Sequence, residues 1–137
     1  MIAILDTNIL ISALLDSRSL PARLVDAWTE QRFTLLTSEE QIVELKRVSC
    51  YPKISALISA PRAGRLVREL RASASLIGAL PDVDICHDPN DNFLLAMAQQ
   101  GNANFLVTGD KADLLGLEKF SATKIIAVRQ FAQILAL

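Results

Sequence analysis

Histidine occurs once in the 137 residues, cysteine twice, and aromatic side chains make up only 5%. His87, Cys50 and Cys86 are too few to build a zinc cage of Cys and His ligands from this chain alone. The two thiols read as buried small residues rather than a disulfide, which suits a reducing compartment. Charge of one sign is also lacking. Fourteen basic and 15 acidic residues leave a net charge of −1, and no global positive field to draw in nucleic acid. No apolar stretch approaches the roughly 18 residues of a membrane span. No basic segment precedes the first apolar run, and Asp6 interrupts that run early, so a secretion signal is not expected. The expected setting is cytoplasmic, away from membranes. There is no Gly/Ser linker, repeat or low-complexity tract, and no P-loop or Ser/His/Asp triad can be assembled.

What is present is aliphatic. Hydrophobic residues make up 51% of the chain and the mean hydropathy is +0.32. Disorder is excluded by that composition, and the length suits one domain over 1–137. Such a domain buries roughly two-thirds of its unfolded surface, enough to fold without staples. The surplus apolar surface suits a partner.

"IAIL" (2–5) reads as a strand buried on both faces, and "NILISALL" as the helix after it. A second helix starts at Leu20, with Pro21 in its first turn. "FTLLT" (33–37) is the next strand. "TSEEQIVELKRV" opens with two overlapping capping boxes, Thr37 with Glu40 and Ser38 with Gln41. Pro61 begins the basic helix "PRAGRLVRELRAS", and "SLIGAL" is a third strand. "DPNDNFLLAMAQQG" is a helix with Asp88 at the N-cap, Pro89 at the first position and Gly101 beyond the end. "NFLVTGD" and "KIIAV" are strands, and "RQFAQILAL" closes the chain. Strands alternating with helices predict a three-layer α/β/α domain around a mainly parallel sheet, here of five strands.

Ligands of such sheets bind beyond the C-terminal ends of the strands. Asp6 and Asp110 end two strands, Asp88 and Asp91 open a helix, and Glu44 stands about two turns into the capped helix. Each has a plain alternative. Asp6 could begin a turn, with Thr7 or Asn8 capping the helix. Asp88 could cap, Asp91 suits the helix dipole, and Asp110 could cap "KADLLGL". Glu44 could pair with Arg47 on a solvated face. Together the alternatives weaken, because carboxylates packed at one edge repel, and a divalent cation offsets that repulsion. Oxygen-only ligands point to Mg²⁺ or Mn²⁺, and the chemistry such a site serves best is phosphodiester hydrolysis.

In order along the chain, "LDTNILISAL", Glu44, "DPNDNFLLAMA" and "LVTGDK" resemble the motifs of PIN-domain nucleases. The resemblance covers nearly the whole chain. It is narrower still to short prokaryotic PIN proteins grouped as toxins of type II toxin–antitoxin pairs. It implies a five-stranded parallel sheet, a Mg²⁺- or Mn²⁺-dependent endoribonuclease, homodimerisation and inhibition by a small antitoxin protein. By the same resemblance Asp6, Glu44, Asp91 and Asp110 are the catalytic, metal-holding acids, with Asn8 and Thr108 supporting them. Asp88 matches the outer acid of "DPND", where a cap role is favoured. The direction of Asp113 is left open.

Arg62, Arg65, Arg68 and Arg71 recur every three residues, which walks around a helix, as a solvated face or as RNA phosphate contacts. Trp28 and Phe33 are core or dimer contacts, and His87 is a loop residue rather than a general base. A phosphatase forming an aspartyl-phosphate would want Asp two residues after Asp6, where Asn8 stands. The remaining alternative is a non-catalytic RNA- or protein-binding module of PIN-like fold.

Overall fold

The alternating burial of the strands organises the molecule. In the computed structural model, which describes residues 1–109 and 112–137, Ala3, Leu5, Leu35 and Val107 pack into one apolar cluster. Ile4, Leu36, Leu106 and Ile125 pack into another. Neighbouring residues of a strand point to opposite faces, so the sheet lies between two apolar layers.

The elements run β1 (Ile2–Leu5), α1 (Thr7–Leu15), α2 (Leu20–Thr29), β2 (Thr34–Ser38), α3 (Glu39–Ser49), α4 (Pro52–Ser55), α5 (Ala60–Ser73) and β3 (Ser75–Ile77). A 3-10 turn (Pro89–Asp91) leads into α6 (Asn92–Gly101) and β4 (Phe105–Thr108). Then follow α7 (Ala112–Leu117), β5 (Lys119–Phe120), β6 (Thr123–Ala127) and α8 (Val128–Ile134). The sheet order is β3-β2-β1-β4-β6-β5. All pairings are parallel except β5 with β6. One layer draws its apolar residues from α1, α2, α3, α5 and α8, the other mainly from α6 and α7. Trp28 and Phe33 belong to the first layer's core, and the Phe33 ring meets Phe131 edge-on at 5.1 Å. Among the described residues no helix is long and apolar enough to cross a membrane.

Among the described residues the sheet therefore has six strands, not five. The extra one, β5, is two residues long and turns straight back into β6 through Ser121, whose φ is 54°. A segment that short has no apolar run to betray it. Helix ends also differ from expectation: α6 begins at Asn92 rather than Pro89, because Pro89–Asp91 wind as a 3-10 turn that Asp88 caps. Gly101 is the last residue of α6, and Asn102 takes the left-handed conformation (φ 48°) that follows the helix. A side chain at Gly101 would run into the buried Leu36 of β2, so the glycine serves close helix–sheet packing. At the start of α3, Ser38 Oγ accepts from the Gln41 N–H, but the Gln41 side chain does not return to close the box. It donates to the Leu5 carbonyl at 2.7 Å and accepts from the Thr37 hydroxyl at 2.8 Å. Gln41 thereby ties the end of β1 to the end of β2.

Candidate metal centre

β1 ends at a carboxylate that does two things. Asp6 is itself the N-cap of α1, so neither Thr7 nor Asn8 caps it: Asp6 Oδ1 accepts from the Asn8 N–H at 3.2 Å. Oδ2 accepts from the Thr108 hydroxyl, at the end of β4, at 2.9 Å. The residue is 1% exposed and Thr108 is fully buried. Because β1 and β4 are adjacent and parallel, their C-terminal ends meet at one edge, and the Asp6 backbone N–H donates to Val107 across it. Capping alone is served by an exposed Asp or Ser. Burying the carboxylate beneath a second strand's hydroxyl calls for compensation by donors or positive charge.

Glu44, on α3, joins the same edge through Thr7. The Thr7 hydroxyl donates to Glu44 Oε2 at 3.4 Å, and Arg47 Nη2 stands 3.9 Å from Oε1. The Glu44 side chain is 22% exposed against 55% for Arg47, so it leans into the molecule. Asp91 closes the 3-10 turn, is 5% exposed, and its side chain makes no cap bond to α6. Asp88 is exposed and caps the 3-10 turn, Oδ1 accepting from the Asn90 N–H at 3.0 Å. The Asp88 N–H reaches Asp113 Oδ2 at 3.5 Å, so Asp113 points from α7 toward the "DPND" turn. Asn8 contacts Asp6 through its backbone and is otherwise exposed. His87 is exposed; Cys86 is buried as expected, whereas Cys50, at the C-terminal end of α3, is exposed.

Asp110 lies outside the described residues, two positions beyond Thr108. Among the described residues no group of three or more His, Cys, Asp and Glu is placed to hold a metal ion. The donor chemistry fits a hard divalent cation all the same. Two deeply buried carboxylates, Asp6 and Asp91, and the half-buried Glu44 offer oxygen alone. Asp6 ends β1, Glu44 meets the adjoining Thr7, and Asp91 stands at the start of α6, which packs on β1, β2 and β4.

Two residues of this region carried no sequence signal of their own. Thr7 looked like a helix cap and is the link to Glu44. Gln41 looked like half of a capping box and fixes the carbonyl next to Asp6.

A family model described as PIN domain matches residues 3–112. An uncharacterized protein of Methanocaldococcus jannaschii is 28% identical over 117 residues, spanning 83% of this chain and 73% of that protein. No solved structure matches.

Proposed function

The chain belongs to the PIN domain family, whose members are generally metal-dependent nucleases, and from that premise we propose that it is a Mg²⁺- or Mn²⁺-dependent endoribonuclease. The observation that carries the reading is the buried Asp6 carboxylate at the β1 edge, with Thr108 of β4 donating to it. Asp6, Glu44 and Asp91, with Asp110 by its motif, would hold the cation. When bound, the cation supplies Lewis acidity and neutralises phosphate charge.

The chain's own residues do the positioning. Thr108 and the Asn8 N–H hold both Asp6 oxygens, so the carboxylate is set before substrate arrives and need not reorganise. Thr7 orients Glu44 from the first turn of α1. Burial of Asp6 and Asp91 keeps bulk water from screening them. The test is cleavage of labelled RNA by purified protein in Mg²⁺, in Mn²⁺ and in EDTA. Activity is expected with the ions and lost with the chelator; cleavage undiminished in EDTA overturns the reading.

The finer part of the proposal is a cytoplasmic toxin of a toxin–antitoxin pair, acting as a homodimer held by a small antitoxin. Its support is apolar surface: Leu57, Val43 and Ile85 are 69%, 58% and 52% exposed in a chain of mean hydropathy +0.32. A solution mass of one 15.0 kDa chain at micromolar concentration contradicts the dimer. Normal growth of cells expressing the protein without a partner contradicts the toxin role. A non-catalytic RNA- or protein-binding module of the same fold is the second reading. The same assay decides, since a module binds RNA and leaves it intact in every ion.

A further inference from the structure

The basic residues are not spread evenly. Between Glu44 and Glu69 stand Lys46, Arg47, Lys53, Arg62, Arg65 and Arg68, and no acid. All six are exposed. They occupy the end of α3, α4 and α5 as far as Arg68, beginning two residues after Glu44. A solvated face ordinarily interleaves acids to relieve repulsion. The run itself supplies none. Arg47 meets Glu44 at its edge, Arg62 and Arg65 border a pocket with Asp26 of α2 and Glu69 further along α5, and the excess of positive charge rests on Lys46, Lys53 and Arg68.

At the near end of this arm is an aromatic side chain in an unusual setting. Tyr51 is 43% exposed, with the Arg47 guanidinium 5.5 Å from the centre of its ring. Arg47 Nη1 donates to the Tyr51 hydroxyl, while Nη2 faces Glu44. Glu44, Arg47 and Tyr51 thus form a row of carboxylate, guanidinium and ring at spacings of three and four residues. It extends about 10 Å from the candidate centre. Beside the row, between α3, α4 and α5, runs a groove of about 740 Å³, bordered by Lys46 and Arg68 and floored by Ile58 and Val67.

We propose that this arm is the track on which single-stranded RNA enters the site. Tyr51 stacks on a base, and Arg47, Lys46 and Lys53 meet the phosphates on either side. The inference deepens the nuclease reading and rests on it for the direction of the strand. Base stacking on an exposed ring, edged by arginine and flanked by exposed lysines, is how single strands are held without sequence readout. A duplex keeps its bases paired and stacked, so it engages only the charge. Docking of a protein on the same face is the competing outcome.

The test measures binding rather than cleavage. Fluorescence anisotropy of a labelled single-stranded oligoribonucleotide is recorded in EDTA on the Asp6→Asn protein, alone and combined with Tyr51→Ala or Tyr51→Phe. A thermal melt accompanies each. Tyr51→Ala should weaken binding roughly 5- to 100-fold, while Tyr51→Phe keeps it within about twofold. Lys46→Ala with Lys53→Ala should lower the salt slope by about 1.4, near 0.7 for each phosphate contact on a single strand. A blunt duplex of two paired strands, without a loop, should bind more weakly and be indifferent to Tyr51→Ala. Equal binding by folded Tyr51→Ala, equal loss with Tyr51→Phe, or equal loss on the duplex each overturns the track. So does an absence of RNA binding at low salt when the substitutions change the solution mass instead, which assigns the face to protein. If binding behaves as expected while the wild type cuts no RNA, the track stands and the nuclease reading falls.

Discussion

The hydroxyl of Thr108 reaches from β4 to Asp6 Oδ2, and this one bond joins the two strand ends on which the candidate centre is built. Thr108→Val keeps the shape and removes the donor. Hydrogen bonds to charged groups contribute about 1.5–3 kcal/mol, so denaturant unfolding in EDTA should show a loss in that range, with cleavage reduced as Asp6 loses its hold. An unchanged midpoint would mean water replaces the hydroxyl. Gln41 gives a second residue-scale prediction. Gln41→Ala leaves the Leu5 carbonyl and the Thr37 hydroxyl, both buried, without their partner. A loss of about 1–3 kcal/mol is expected for each group left unsatisfied. The measurement is the same unfolding curve. The places of Asp6 and Thr108 at strand ends and of Asp91 at the start of α6 were legible in the sequence, because acids and hydroxyls there have recognisable settings; Glu44, in the middle of α3, stood out only through the family motif. Thr7 and Gln41 were not legible, because their local capping signatures mask partners 36 and 37 residues away.

Helices and strands test how tightly the frame is packed. Gly101→Ala gains about 1 kcal/mol of helix propensity, yet the added methyl meets the side chain of Leu36, which is 3% exposed and packed in the core. Overpacking costs about 1–3 kcal/mol, so a net loss is expected in unfolding experiments; a gain would show that α6 can lift from β2. The α3–α5 contact carries a pH signature. Arg71 forms a two-pronged bridge to Glu39, at 2.9 and 2.7 Å. The hydrogen bond from Arg71, chiefly, holds the Glu39 carboxyl below its ordinary range. A depressed carboxyl stabilises the fold above its unfolded-state pKa, and that share is lost as pH falls through the lower folded-state value. Both groups are exposed, so the effect is small and salt-sensitive. Arg71→Met should lower the melting temperature slightly at neutral pH and low salt, and not at all in strong acid or 1 M salt. Element types followed from apolar runs and caps, with the C-terminal end of α6 shifted by a residue because Asn102 bears the left-handed turn, and its start shifted by three because Pro89–Asp91 wind as a 3-10 turn. α4 and β5 escaped because four and two residues hold no periodicity.

For the whole molecule, the parallel sheet gathers what the chain disperses. Asp6 and Thr108 are 102 residues apart and share a hydrogen bond, and Glu44 reaches the same edge through Thr7. The order of the acids along the chain made the family legible, and burial of the strands on both faces made the architecture so. Their convergence on a cation is the central claim, and Asp6→Asn tests it. Asn accepts from the Asn8 N–H and caps α1 as Asp does, so the fold should survive. Thermal melts of wild type and variant are run in EDTA and in millimolar Mn²⁺, beside RNA cleavage. Mn²⁺ should raise the melting temperature of the wild type by binding its native state. The variant should gain nothing from Mn²⁺, melt at or above the wild type in EDTA, where one buried charge has been removed, and lose most of its cleavage. A variant that melts below the wild type in EDTA, is still stabilised by Mn²⁺ and still cuts RNA would contradict the account, leaving Asp6 a helix cap and nothing more.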